Sequence, residues 1–382
     1  MTEIYRLLLV DDEARMLSSV RRLLRPLKEQ WQLETSESAY EALEHLQKFE
    51  PHLVISDMRM PGMSGDDFLI ETARRRPETI RAVITGYSTA DSILTAVQVA
   101  HLSLTKPFGE QELYDLLERA RVLVDMALPE RSRRHLGRLN QLPVIPEIQR
   151  ELTMLLQDTD ETPVDRVVEL IEQEPSLVAR ILHTVNSAFF GLPRKITGVH
   201  EAVMTLGLDM LRDLVMVLQL FSEDSSPLIA PEVHRQLLER SLQVATQARQ
   251  IAHEVFRFEA IDDQAFLAGV LHDVGKLALW AQLEQQNQLK LLSNPVLNEK
   301  LFGDQCVLAS SYMLRLWNID DMVVEAVEQC ANLRAVEEAL PLAQALNAAI
   351  QLVDGAEQLD MARYDPALRE WCEARAESLL PG

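Results

Sequence analysis

Residues 54–65 read VISDMRMPGMSG. A β-branched apolar run delivers one acid, Asp57, and then breaks at a Met-Pro-Gly turn. A strand that carries a carboxylate to its C-terminal tip and stops there is how an open α/β sheet presents an acid at its edge. The neighbouring segments repeat the theme. Residues 4–10 form a short apolar run that ends in Asp11 and Asp12. Residues 80–84 end in Thr85-Gly86, and residues 102–104 lead to Lys106-Pro107. A weaker strand is expected over 31–34.

Between these runs the apolar spacing turns helical. Met16, Val20, Leu23 and Leu24 mark a helix over 14–27, and further helices are expected over 39–49 and 67–75. Ser88 and Asp91 make a capping-box pattern for a helix to about residue 99, and another helix begins near Glu110. Strand and helix alternate five times, which predicts a doubly wound, five-stranded parallel sheet with helices on both faces.

In such a sheet the working groups gather at the carboxyl ends of the strands. Those ends hold Asp11, Asp12, Asp57, Thr85 and Lys106. Three acids packed together repel one another and call for a divalent cation, and few hard oxygen ligands suit Mg²⁺ with waters retained. A carboxylate beside such a cation can attack a phosphoryl group, while a lysine and a threonine hydroxyl are suited to phosphoryl oxygens. Each residue alone has a plainer reading, since a single Asp at a strand end is most often a turn or cap residue. All five at strand ends together favour phosphoryl chemistry, with Asp57 as the acceptor.

The motifs LLLVDDE at 7–13, VISDMRMPGMSG at 54–65, ITGY at 84–87 and LTKPF at 104–108 resemble the receiver domain of two-component response regulators. The resemblance implies phosphorylation of Asp57 by a sensor histidine kinase or a small phosphodonor. It implies Mg²⁺ bound by Asp12, Asp57 and the backbone carbonyl of Arg59, with Asp11 holding it through water. Thr85 and Lys106 would sense the phosphate, and the Lys106–Pro107 bond would be cis. One position departs from the family: Ser103 stands where an aromatic switch residue is usual, with Tyr87, His101 and Phe108 nearby as substitutes.

The chain has 382 residues and a net charge of −22, which argues against nucleic acid or an anionic membrane as partner. Net charge is −6 over residues 1–125, +3 over 126–140 and −19 over 141–382. The basic island reads as a solvated or interdomain connector, following an amphipathic helix over 110–128. Cys306, Cys330 and Cys372 have no CxxC spacing, as expected of buried thiols in a reducing compartment. The longest apolar run, MTLGLDMLRDLVMVLQL, carries three charges, and no signal-type segment opens the chain; a cytoplasmic location is expected.

From Leu142 the strand-like runs give way to helices, expected over 146–156, 163–173, 175–186, 200–207, 210–221, 231–257, 262–284, 297–317, 319–332 and 340–354. Asp158, Asp160 and Thr162 supply cap signals ahead of the second of these. His272 and Asp273, in FLAGVLHDVGKLAL, look like the signature of HD metal-dependent phosphohydrolases. That family expects a histidine near Arg240-Ser241 and several downstream, but no histidine follows His272, and the aligned places hold Cys306 and Cys330. Two ligands do not make an open metal site, so His272 and Asp273 read as a vestigial, hydrogen-bonded structural pair.

LPVIP at 142–146, VVELIEQEPSLVARILHTVNSAFFG at 167–191 and ITGVHEAVMTLGLDMLRDLVM at 196–216 extend that likeness to the HDOD domain, a degenerate, all-α relative of the HD fold. In that family's NSA turn, Asn186 and Ser187 read as structural, and Phe189 and Phe190 as core. The expected organisation is a receiver at 1–125, a connector at 126–140, an HDOD output domain at 141–340 and a helical extension at 341–382. The resemblance implies a response regulator whose output is protein–protein interaction with a downstream signalling protein or a second copy, and no cofactor in the HDOD domain. The alternative is a phosphorylation-gated HD phosphodiesterase acting on nucleotides or cyclic dinucleotides.

Overall fold

Strands β1 (Tyr5–Val10), β2 (Trp31–Ser36), β3 (Leu53–Asp57), β4 (Ile80–Thr85) and β5 (Leu102–Thr105) hydrogen-bond in the order β2-β1-β3-β4-β5, every pair parallel. The computed structural model describes residues 4–86, 99–138, 146–157, 162–220, 231–257, 259–285, 295–333, 339–355 and 361–379. All five residues of β3 are buried, which is why its sequence is a continuous apolar run and not an alternation. Helices α1 (Ala14–Leu23), α2 (Ala39–Phe49) and α3 (Gly65–Arg75) follow the first three strands in turn. Leu8, Val10, Leu46, Val54, Phe68 and Val83 share one core between sheet and helices. Each such side chain contributes about 1.5–3 kcal/mol on burial.

Local chemistry sets the helix ends. α1 stops at Leu23, short of the expected end at 27, because Pro26 has no N–H to continue it; Arg25–Leu27 is a 3₁₀ turn. The Ser38 hydroxyl caps α2 by accepting from the Glu41 amide at 3.3 Å. The capping-box helix expected from Ser88, like Tyr87, lies outside the described residues.

The chain folds into two compact units. The first comprises Met1–Gln141 with His183–Arg194 and Leu316–Asn318. It contains the helix Glu110–Asp125 and, within the stretch expected to be a connector, a second helix at Glu130–Arg138. Leu128 and Leu136 are buried there, and Arg134 pairs with Glu78 at 3.3 Å. The anchor is Arg81, fully buried in β4, whose guanidinium donates to the carbonyls of Val99 at 2.9 Å and Gly137 at 3.3 Å.

The second unit comprises Leu142–Leu182, Lys195–Arg315 and Ile319–Gly382. All of its regular elements among the described residues are helices. Helices Pro231–Ile251, Glu259–Leu271, Asp321–Cys330 and Pro341–Val353 pack on one another. The C-terminal helix Pro366–Leu379 packs on the turn Ala252–Phe256 and buries Leu368 and Cys372. Thr162 does not cap the helix Val164–Glu172: its hydroxyl donates to Leu155 O at 2.5 Å, and Pro163 occupies the cap. Asp158 and Asp160, and the side chain of Phe189, lie outside the described residues.

One expected helix is two. The stretch 262–284 is broken into Glu259–Leu271 and Val274–Gln285, so His272-Asp273 forms the junction and is not on a helix face. A Cβ on Gly275 would stand 2.2 Å from the Ser310 nitrogen. The helix Pro295–Leu316 therefore passes at backbone contact. Ser310 satisfies the break, accepting from the Gly275 amide at 2.9 Å and donating to His272 O at 2.7 Å.

Candidate functional site

Strand register assembles the acids. Val10 pairs with Ser56, so the next residues, Asp11 and Asp57, emerge side by side where the strand order reverses between β1 and β3. Thr85 pairs with Thr105, and the Lys106 amide donates to Thr85 O at 2.7 Å. This sends the Lys106 side chain back across the sheet edge. Its Nζ lies 2.5 Å from Asp57 Oδ1 and 3.0 Å from Asp11 Oδ2, one ammonium bridging two carboxylates. The following Lys106–Pro107 peptide is cis, as the motif implies.

The loop after Asp57 is drawn onto the acid. Asp57 Oδ2 accepts from the Arg59 amide at 2.8 Å, and the Gly65 amide donates to Met58 O at 2.9 Å. A Cβ on Gly65 would stand 1.9 Å from Asp57 O, so only glycine permits this return. Thr85 is buried, with its hydroxyl donating to Gly86 O at 3.1 Å.

The three acids do not pack as equals. Asp11 and Asp57 are buried and share Lys106, whereas Asp12 is exposed at the rim. Burial pushes the Asp11 carboxyl up, against the pull of the Glu13 amide and Lys106. Burial also works against the Lys106 ammonium, but hydrogen bonding and charge from Asp57 and Asp11 outweigh it and raise its pKa. The ion pair is common to both groups; burial prevails over it at Asp11, whereas at Lys106 the two carboxylates together prevail over burial. Asp11, Asp12 and Asp57 are hard oxygen donors of the kind Mg²⁺ takes, with Asp12 open to water, but their side chains do not by themselves close into a metal-holding group, so backbone carbonyl and water ligands would have to complete the shell.

Of the possible substitutes for the aromatic switch, the His101 ring is engaged by Arg81, with 2.7 Å from Nε2 to the guanidinium. Phe108 is half-buried. Ser103 has a different engagement: its Oγ accepts from the Ala188 amide at 3.0 Å.

In the second unit, the His272 ring donates from Nδ1 to Gly269 O at 2.7 Å, leaving Nε2 to accept from Arg240 at 2.9 Å. Arg240 also donates to Asp273 Oδ2 at 2.6 Å and forks onto both oxygens of Asp354 at 2.8 Å each. Burial, against the pull of Asp273, lowers the His272 pKa. Asp273 is lowered despite burial, by His272, Lys276 and Arg240. Burial and the nearby Asp273 push Cys306 and Cys330 up to about 12. Among the described residues, no three His, Cys, Asp or Glu side chains form a group that could hold a metal. Asp354, some eighty residues downstream of the pair, had no signal in the sequence.

The HDOD domain family matches residues 142–333, half of the chain. The chain belongs to the HDOD-domain family. Residues 7–118 of this HDOD protein match the response regulator receiver domain. Over 115 residues it is 36% identical to the hydrogenase transcriptional regulatory protein HoxA of Cupriavidus necator, covering 30% of this chain and 23% of that one. Over 87 residues it is 37% identical to the DNA-binding transcriptional regulator NtrC of Escherichia coli K12, covering 22% and 19%. The HDOD protein thus spans about a quarter of the length of the curated relatives it matches. Among solved structures, the receiver domain of an HD domain-containing protein from Pseudomonas fluorescens Pf-5 is 31% identical, covering 31% of this chain and 96% of that one, with a TM-score of 0.30. The MmoQ response regulator from Methylococcus capsulatus Bath is 22% identical, covering 63% and 94%, with a TM-score of 0.47. No helix among the described residues is long and apolar enough to cross a membrane.

Proposed function

We propose that this protein is a cytoplasmic phosphorelay response regulator in which Asp57 accepts a phosphoryl group from a sensor histidine kinase. The observation that carries this reading is the Lys106 ammonium bridging Asp57 and Asp11 at adjoining strand ends. Asp11, Asp12, Asp57 and the Arg59 carbonyl would hold Mg²⁺, which when bound neutralises charge between the carboxylate and an incoming phosphoryl group. Lys106 holds Asp57 in place and offers a positive charge to phosphoryl oxygens, and Thr85 offers a hydroxyl. Domain limits near residues 125, 140 and 340 follow from the same reading, with 126–140 as the connector.

The HDOD region then serves as a non-catalytic output that binds a downstream signalling protein or a second copy of the chain. Arg240 supports this. Its guanidinium occupies the middle of the His272, Asp273 and Asp354 cluster and satisfies acids that a metal would otherwise neutralise. A phosphodiesterase would need that centre open.

The experiment is labelling with acetyl phosphate and Mg²⁺, followed on phosphate-affinity gels. Wild type is expected to shift and Asp57→Asn to stay unshifted. A wild type that never shifts, or an Asp57→Asn variant that shifts equally, would sink the reading.

A further inference from the structure

Along β5 the side chains alternate. Leu102 and Leu104 are buried, while Ser103 and Thr105 project together from the opposite face. Both hydroxyls meet one residue within the first unit. Ser103 Oγ accepts from the Ala188 amide at 3.0 Å, and Thr105 Oγ1 donates to the Ala188 carbonyl at 3.0 Å. The two backbone groups of a single peptide residue are thus read by two side chains spaced one strand repeat apart. Ala188 opens the 3₁₀ turn Ala188–Phe190, and the chain just before it is folded tightly, with Ser187 Oγ donating to Thr184 O at 2.6 Å.

The lower jaw of this clamp is covalently joined to the candidate phosphoryl site. Thr105 precedes Lys106, which grips Asp57 and Asp11, and the Lys106 amide bonds Thr85 O. Thr105 is the last rung of the β4–β5 ladder and is exposed, so its hydroxyl is the weaker grip. Beside the clamp lies a cavity of about 140 Å³ bordered by Ser103, His183, Asn186, Ala188 and Asn318. The held segment therefore has space next to it into which it can shift, unlike a close-packed core.

We propose that Ser103 and Thr105 form a hydroxyl clamp on the backbone of Ala188, and that phosphoryl acceptance at Asp57 opens it. The proposal rests on Asp57 being the acceptor. Added charge at Asp57 draws Lys106 toward the phosphoryl oxygens and shifts the last β4–β5 rung, which withdraws Thr105 from Ala188 O. Ser103 alone then holds one of two bonds. The released segment is continuous with the helices Pro175–Val185 and Val199–Leu206, so the change enters the HDOD fold along the chain itself. Ser103 acts here as a positioning residue in place of an aromatic rotamer switch.

The test is amide hydrogen exchange of the full chain, read at the peptide spanning 187–192, with and without beryllofluoride and Mg²⁺ as the phosphoryl mimic. Binding of the mimic is followed separately by ¹⁹F NMR. In wild type the mimic should speed exchange at Ala188 about tenfold. Ser103→Ala should raise the basal rate about fivefold, the equivalent of one hydrogen bond, and shrink the further response. Thr105→Val should raise the basal rate less and abolish most of the response. A bound ¹⁹F signal, absent in Asp57→Asn, with unchanged exchange at Ala188 would overturn the clamp and leave Asp57 as acceptor. Unchanged basal exchange in both Ser103→Ala and Thr105→Val would overturn it too. A missing ¹⁹F signal would overturn the acceptor reading and the clamp's trigger with it.

Discussion

Lys106 shows how much one side chain can organise. Its place in sequence is a loop dipeptide, Lys-Pro, but its ammonium offsets the burial of both Asp11 and Asp57. His234 is the opposite case, a titratable residue buried with Nε2 lacking a hydrogen-bond partner among the described residues. Burial lowers its pKa to about 4, from an unfolded value near 6.5. The unfolded chain therefore binds the extra proton first as pH falls. His234 costs no stability above pH 6.5, and destabilises progressively between about pH 6.5 and pH 4. Urea titrations at pH 7.5 and pH 5.0 should show wild type losing about 2 kcal/mol more than His234→Leu. Equal losses in the two proteins would refute a neutral, buried His234.

At the scale of elements, the instructive feature is the break at His272-Asp273. Apolar residues continue across the break, and those from Ala265 to Leu271 and from Val274 to Trp280 are largely buried, so no polar gap beyond His272-Asp273 itself marks it in the sequence. What divides the helix is Gly275 lying against Ser310, thirty-five residues away in sequence. The junction is then held by Arg240, reaching from the helix Pro231–Ile251. Arg240→Met leaves Asp273 and Asp354 without their shared cation. It should lower unfolding stability by about 2–4 kcal/mol in urea melts at pH 7. Arg240→Lys should recover only part of this, because a single ammonium does not fork onto Asp354 while also meeting Asp273. Full recovery by lysine would show that the planar geometry is unimportant.

For the molecule as a whole, the segment 126–140 matters most. Its charge suggested a solvated or interdomain connector, and its second half is a helix whose Gly137 carbonyl is gripped by the buried Arg81. That guanidinium also serves the carbonyls of Val99 and Thr79, so an apolar replacement strands several buried acceptors at once. Arg81→Met should cost about 2–4 kcal/mol and loosen the helix Glu130–Arg138. Limited trypsin digestion should then cut at Arg131, Arg133 or Arg134 about tenfold faster than in wild type. Unchanged cutting would mean that burial of Leu128 and Leu136 holds the helix without Arg81.

The chain's own order was enough to read the parallel sheet, because period-2 and period-3.6 apolar patterns and strand-end acids are local signals. It also placed Asp11, Asp57 and Lys106 at one sheet edge, since in a parallel sheet every strand ends on the same side. Tertiary structure alone decided how those residues are used. Only strand register shows Asp11 and Asp57 adjacent while Asp12 faces solvent. Only packing reveals Arg240 and Asp354 beside the His272-Asp273 junction, and Ser103 against Ala188. Those contacts span from about thirty to more than a hundred residues of sequence, and polar partners at such separations leave no periodic trace in the chain.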